Sequence, residues 1–165
     1  MAFKDEKRLE LWGRDDSVWK LVKTYPILAA SGTVGPKLRE GDRQVPEGIY
    51  GVEYLNPNSS YHLSIKVDYP NSVDKEHAVA DGRTRLGGDI FIHGNALSVG
   101  CLAMGDDASE ELFVLTAKVG KENVQIILAP RDFRRTGVPQ LADPQPPWLP
   151  ILYAEIDKQL AAFRS

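Results

Sequence analysis

Apolar residues in this chain come in short runs closed by glycine, proline or a polar turn, a punctuation that suits strands and leaves room for few long helices. Phe3 to Trp12 reads as a strand. Leu9 and Leu11, then Trp19, Leu21 and Val22, flank the turn residues Gly13 to Ser17 and predict a hairpin. The stretch from Ser31 to Gly48 carries Gly32, Gly35, Pro36, Gly41, Pro46 and Gly48 and reads as a loop. Ile49 to Leu55 and Tyr61 to Val67 predict a second hairpin, turning at Asn56, Pro57 and Asn58. From Asp68 to Gly88 the chain is polar and long enough for a binding or lid loop. Asp89 to His93 and Val124 to Leu128 complete the strands.

Two helices are expected. Asp107 and Glu110 have capping-box spacing, and Leu112, Val114, Leu115 and Val119 form an apolar stripe ending at Gly120. A proline-rich linker from Pro139 to Pro150 then leads in extended form to an amphipathic helix over Ile151 to Phe163. Many short strands with one inserted and one C-terminal helix predict a mainly β fold, a sandwich or partly open barrel. At 165 residues and 42% hydrophobic composition the chain suits one domain with a tail.

A formal charge of −3, with Lys and Arg scattered among Asp and Glu, supplies no basic field for nucleic acid. One cysteine cannot close an internal disulfide, and the three histidines and Cys101 lack zinc-site spacing, so no metal or cofactor is expected. No window approaches the roughly 20 apolar residues of a membrane span, and the first residues lack the pattern of a signal peptide. The strand pattern begins almost at the first residue, and an upstream segment is expected outside this chain.

Chemistry concentrates around Cys101. It follows His93 by eight positions, across Gly94, Asn95, Ala96, Leu97, Ser98, Val99 and Gly100. A thiol needs a base or a cation to become nucleophilic near neutral pH, and backbone N–H groups to stabilise the oxyanion formed on attack. This segment holds candidates for all three. The same residues have plainer readings: a small buried cysteine, and a histidine satisfied within the core. Ser98 and Asn95 either touch substrate or hold the turn, His62 either touches substrate or is a structural hydrogen-bonder, and Arg43 either pairs with a carboxylate or ties down its glycine-rich loop. Arg83 is a second candidate for the carboxylate. His77 reads as exposed, Asp106 and Asp107 as helix-start residues, and Trp148 as an anchor for the linker.

Gly41-Asp42-Arg43-Gln44-Val45-Pro46-Glu47-Gly48-Ile49-Tyr50, Tyr61-His62-Leu63-Ser64, Asp68-Tyr69-Pro70-Asn71, Ile92-His93-Gly94 and Ser98-Val99-Gly100-Cys101-Leu102-Ala103-Met104 occur in order. Together they resemble the YkuD-type L,D-transpeptidase catalytic domain, most closely its YafK-like branch. The usual active-site run has a second histidine before the Gly-Cys pair and an arginine shortly after it; Val99 and Ala103 stand here, with a shorter His-to-Cys interval, as in that branch. The resemblance implies the family's β-sandwich or partly open barrel, with a catalytic domain over residues 1–135 and the linker and C-terminal helix over 136–165 packed on it.

For the site, the resemblance implies Cys101 as nucleophile, His93 as base and the Gly94 carbonyl as the group orienting it. Oxyanion donors would come from Val99, Gly100 and Cys101, and Tyr61, His62, Asn95, Ser98 and Arg43 would lie near the substrate. The implied substrate is the diaminopimelate stem peptide of peptidoglycan. The implied reaction is hydrolysis of its bond to a covalently attached envelope lipoprotein, which places the protein in the periplasm or cell envelope. Cross-linking or protein attachment by a transpeptidase, and a non-catalytic wall-binding module, are the alternatives.

Overall fold

A computed structural model of the chain describes residues 1–141 and 144–163. In chain order the elements are β1 (Ala2–Phe3), β2 (Arg8–Asp15), β3 (Val18–Pro26), β4 (Ala29–Ala30), β5 (Gly48–Tyr50), β6 (Val52–Ser59), β7 (His62–Val67), α1 (Ser72–Ala80), β8 (Phe91–His93), β9 (Leu102–Ala103), α2 (Asp106–Val119), β10 (Ile126–Ala129), α3 (Phe133–Thr136) and α4 (Leu149–Leu160). They build two five-stranded sheets, ordered β3-β2-β1-β10-β5 and β4-β9-β8-β7-β6. Neither closes into a barrel. The pairings β1 with β10 and β8 with β9 are parallel; the rest are antiparallel.

Apolar side chains from both sheets, among them Leu9, Tyr25, Val52, Ile65, Ile92, Leu102 and Leu128, form one core cluster with Val45 of the loop before β5. A second cluster includes Phe3, Ile127 and Ala129 from β1 and β10 with Phe133, Leu149, Tyr153, Ile156 and Leu160. The spacing 149, 153, 156, 160 is one face of a helix, so α4 shares its core with the first sheet. Burying each large apolar side chain there is worth about 1.5–3 kcal/mol.

A buried polar clamp ties the glycine-rich loop to this scaffold. Lys4 Nζ donates to the Gly35 and Val45 carbonyls and to Glu47 Oε1, each at 2.9 Å. Gly35 N–H donates to the same carboxylate oxygen at 2.8 Å, and the Tyr153 hydroxyl of α4 to Glu47 Oε2 at 2.6 Å. Burial pushes the Lys4 ammonium below and the Tyr153 phenol above their ordinary ranges.

Several expectations change. The strand expected over Phe3 to Trp12 is two, β1 and β2, with a turn over residues 4–7 between them. The strand expected over Ile49 to Leu55 is two, because the chain leaves the first sheet at Tyr50 and enters the second at Val52. Asn56, Pro57 and Asn58 lie within β6, and the reversal falls at Ser60 and Tyr61. Pro57 is tolerated because β6 is an edge strand. The polar segment from Asp68 to Gly88 contains α1, capped by Asn71 Oδ1 accepting from Asp74 N–H at 3.1 Å while Asp74 Oδ2 accepts from Asn71 N–H at 3.0 Å. Only Ala78 of α1 is buried, so no apolar stripe announced it.

Helix α2 starts at Asp106 after Gly105, without the Asp107–Glu110 box. Helix α4 starts at Leu149, with Pro150 in its first turn, so the extended linker is shorter than expected. The linker's Ala142 and Asp143 lie outside the described residues.

Candidate active site

His93 ends β8, and Cys101 immediately precedes β9. The register pairs Ile92 with Leu102 and His93 with Ala103. Ile92 and Leu102 point into the core, so His93 takes the opposite face, and the alternation carried back one residue gives Cys101 that face too. The eight-position interval is thus a loop between two neighbouring parallel strands that returns the thiol to the histidine's side of the sheet.

Nδ1 of His93 donates to the Gly94 carbonyl at 2.5 Å. A carbonyl only accepts, so Nδ1 carries the proton and Nε2 is left with its lone pair. Burial lowers the His93 pKa, with the bond to Gly94 opposing it, and keeps the ring neutral near pH 7. Tyr61 lies over this imidazole, ring centroids 4.8 Å apart and planes at 35°.

Gly94 is required by space. A Cβ there would stand 2.6 Å from Asp106 Oδ1, 2.7 Å from the Tyr61 carbonyl and 2.9 Å from His62 Cβ. The His93-Gly94 corner is therefore set between the β6–β7 turn and the start of α2. Asp106 fastens that corner, its Oδ1 accepting from Asn95 N–H at 2.9 Å.

The thiol of Cys101 is half-buried and donates to the Asp89 carbonyl at 3.4 Å. Burial pushes the thiol above its ordinary range, opposed by a backbone hydrogen bond, Lys66 and Lys37 and reinforced by the Asp89 charge. The Cys101 thiol and the His93 imidazole are therefore both neutral near pH 7.

Two hydroxyls hold the turn that leads into Cys101. Gly100 N–H donates to Ser31 Oγ at 2.6 Å, and Ser31 Oγ–H to the Arg43 carbonyl at 2.7 Å. Ser98 Oγ accepts from Cys101 N–H at 3.2 Å and donates to the Cys101 carbonyl. Gly100 itself sits at φ +93°, a conformation that favours glycine. At rest, two expected oxyanion donors are thus engaged with serine oxygens, whereas Val99 N–H has no acceptor among the described residues.

Of the expected substrate contacts, Tyr61 is the one placed against the base. His62 is tied to α2, its Nε2 lying 2.6 Å from Glu110 Oε1. Asn95 Oδ1 accepts from Ala96 N–H at 2.6 Å, within its own loop, and Ser98 is spent on the turn. Arg43 contributes its carbonyl to Ser31 while its side chain is exposed. Arg83 is occupied by Asp81 and the Leu38 carbonyl. His77 stacks on Trp148 at 4.0 Å, so it is held against the linker anchor.

Sequence reading missed Ser31, Asp89 and Lys66. Ser31 opens a long glycine-rich loop far from Cys101 and carries no local signal. Lys66 falls on the polar face of β7 with His62 and Ser64, so the alternation gives no sign that it is buried.

The comparisons agree with this architecture. The family model for the YkuD L,D-transpeptidase catalytic domain matches residues 1–126. YafK from Escherichia coli (strain K12) is 37% identical over 139 residues, which is 81% of this chain and 53% of that protein. The chain thus spans about half the length of the curated relatives it matches. Among solved structures, the helical cell shape determining protein Pgp2 from Campylobacter jejuni superposes with a TM-score of 0.62 at 24% identity, covering 79% of this chain and 46% of that one. Bd1075 from Bdellovibrio bacteriovorus gives 0.56 at 19% identity, covering 97% and 51%. These two likenesses concern the fold. With the matched domain running through both His93 and Cys101, the chain belongs to the YkuD family of L,D-transpeptidase catalytic domains.

Proposed function

We propose that this chain is a cysteine-dependent enzyme of peptidoglycan that forms a thioester with diaminopimelate stem peptides and hydrolyses their linkage to an attached envelope lipoprotein. The observation that carries the reading is the His93 ring, fixed by the Gly94 carbonyl with its Nε2 lone pair free, on the same sheet face as the single thiol. General-base activation needs such a lone pair on the side of the sheet that carries the thiol.

Sγ of Cys101 attacks the carbonyl carbon while its proton passes to Nε2 of His93. The oxyanion is met by N–H groups of the turn: Val99 directly, Gly100 and Cys101 as the oxyanion replaces the Ser31 and Ser98 oxygens. One such donor is worth about 10²–10³ in rate. His93 returns the proton to the leaving amine as the C–N bond breaks, leaving the thioester. Water then attacks the thioester, gives its proton to His93, and releases a free carboxylate and the thiol. Because thiol and imidazole both start neutral, the first step includes proton transfer and depends on Nε2 staying unprotonated.

Tyr61 lies over the base and Arg43 is exposed beside the loop that holds the turn, which suits them to substrate contact. Peptidoglycan as substrate places the action in the periplasm or cell envelope, and among the described residues no helix is long and apolar enough to cross a membrane. The description of the matched family, an L,D-transpeptidase catalytic domain, supports the second reading, an amine in place of water as acceptor.

Digestion of lipoprotein-linked and bare sacculi, read by mass spectrometry of the products, separates them. Release of lipoprotein with free diaminopimelate stems supports hydrolysis, and new stem-to-stem dimers support transpeptidation. If Cys101→Ala matches the parent in both assays, the chain is a binding module and the enzymatic reading fails.

A further inference from the structure

A charged residue on the sheet face that carries Cys101 is used by none of the steps above. Lys66, on β7, pairs in register with Phe91 on β8, and the alternation that gives Cys101 its face sets Phe91 beside it. The Lys66 side chain is only 8% exposed. Its ammonium lies 5.2 Å from the Phe91 ring centroid, 3.5 Å from Asp89 Oδ1 and 3.9 Å from Glu53 Oε2.

Those contacts satisfy a buried cation poorly. An ammonium has three donors, and a charge removed from water is costly unless tightly paired. The nearest carboxylate belongs to Asp89, whose side chain is 92% exposed and so keeps much of its own charge screened by water. The same Asp89 accepts the Cys101 thiol through its carbonyl at 3.4 Å. Lys66 and Cys101 therefore hold one residue between them, the ammonium on its side chain and the sulfur on its backbone.

We infer that Lys66 is a positioning residue for the nucleophile: its ammonium is the fixed positive charge that stabilises the Cys101 thiolate once His93 has taken the proton, and Asp89 moderates that field. The other charged groups around the thiol fit this division. Lys37 acts in the same direction but is held by Asp42 at 2.6 Å and the Arg39 carbonyl at 3.0 Å, Glu53 reaches only Lys66, and His93 is neutral at rest. The inference rests on Cys101 being the nucleophile, but its test reads the thiol alone and needs no substrate. Failure of sacculus digestion would sink the proposed function and leave this result standing, and the reverse holds.

With one cysteine in the chain, iodoacetamide alkylation followed from pH 6 to 10 reports on Cys101 without ambiguity. Lys66→Met keeps an unbranched stem over Phe91 and removes the charge. It should raise the alkylation midpoint by about one pH unit, a tenfold loss of rate at a fixed pH below the midpoint. Lys66→Arg keeps the charge and should stay near the parent. Asp89→Asn alters an exposed side chain and retains a residue type tolerant of the observed φ of +55°, so it tests the same field if Lys66→Met fails to fold. It should lower the midpoint. An unchanged midpoint in a folded Lys66→Met, or in Asp89→Asn, overturns the inference.

Discussion

The glycine-rich loop from Ser31 to Gly48 is fastened at both ends, by opposite means. Near Glu47 the fastening is ionic and buried, with Lys4, Gly35 and Tyr153 converging on one carboxylate that is 2% exposed. Near Ser31 it is a chain of two neutral hydrogen bonds at a half-buried hydroxyl, running from Gly100 to Arg43. Breaking a buried charge pair by removing one partner costs about 3–5 kcal/mol, whereas a neutral hydrogen bond contributes about 0.5–1.5 kcal/mol. The loop is thus locked where it meets the core and held lightly where it meets the turn before Cys101.

The largest expected effect tests the locked end. Glu47→Ala leaves the Lys4 ammonium buried without its carboxylate, and the melting temperature should fall by about 10 °C or more. A fall of only one or two degrees would remove the contrast between the two ends. Next in size is Gly94→Ala, which forces a methyl group against Asp106, Tyr61 and His62. Activity on sacculi should drop by about 10²-fold through a displaced His93, with destabilisation of about 1–3 kcal/mol. Near-parental turnover would show that the base tolerates movement.

A pH titration of stability sharpens the locked end. Tyr50 Oη lies 3.3 Å from the Glu47 carbonyl and 3.1 Å from Asp74 Oδ1, and burial raises the Asp74 pKa to about 6. Folded Asp74 therefore holds a proton that the unfolded chain releases near pH 4, and its contribution to stability falls as pH rises from about 4 to about 6, then levels off. Asp42 and Asp132, both lowered, act in the opposite sense, so the signal is the difference between Asp74→Asn and the parent. The variant should gain relative stability across that window by about 1–2 kcal/mol. A difference that does not vary with pH would contradict a buried Asp74 carboxyl.

The smallest structural effect belongs to the light end. Ser31→Ala should leave the melting temperature within about 2 °C while lowering kcat by about 3–10-fold, because the Gly100 amide is no longer held in line. Loss of stability without loss of kcat would make Ser31 part of the scaffold only.

Much of the fold was legible because β2, β3 and β10 carry their apolar residues in short, turn-bounded runs. Helix α1 was not, since a helix that buries only Ala78 has no periodic stripe to detect, although Asn71 and Asp74 had the right capping spacing. The split at Gly51 was equally hidden, because both halves of that run are strand and the sheet change is a tertiary fact. At the site, the proximity of His93 to Cys101 in sequence was readable, and the orienting role of Gly94 came through the family resemblance. Ser31, Lys66 and Asp89 act across the sheet or from a distant loop, where linear spacing says nothing. The direction of the Cys101 shift could not be read either, since it depends on burial.

The central claim is a covalent bond between Cys101 and the acyl group of a stem peptide. Acid-quenched protein incubated with diaminopimelate-containing stem peptides, analysed by intact mass and then by peptide mapping, tests it directly. The predicted result is a hydroxylamine-labile adduct of acyl mass on the Cys101 peptide, absent in Cys101→Ala. Turnover of the peptides by the Cys101→Ala protein, or an adduct mapped to any other residue, would contradict it.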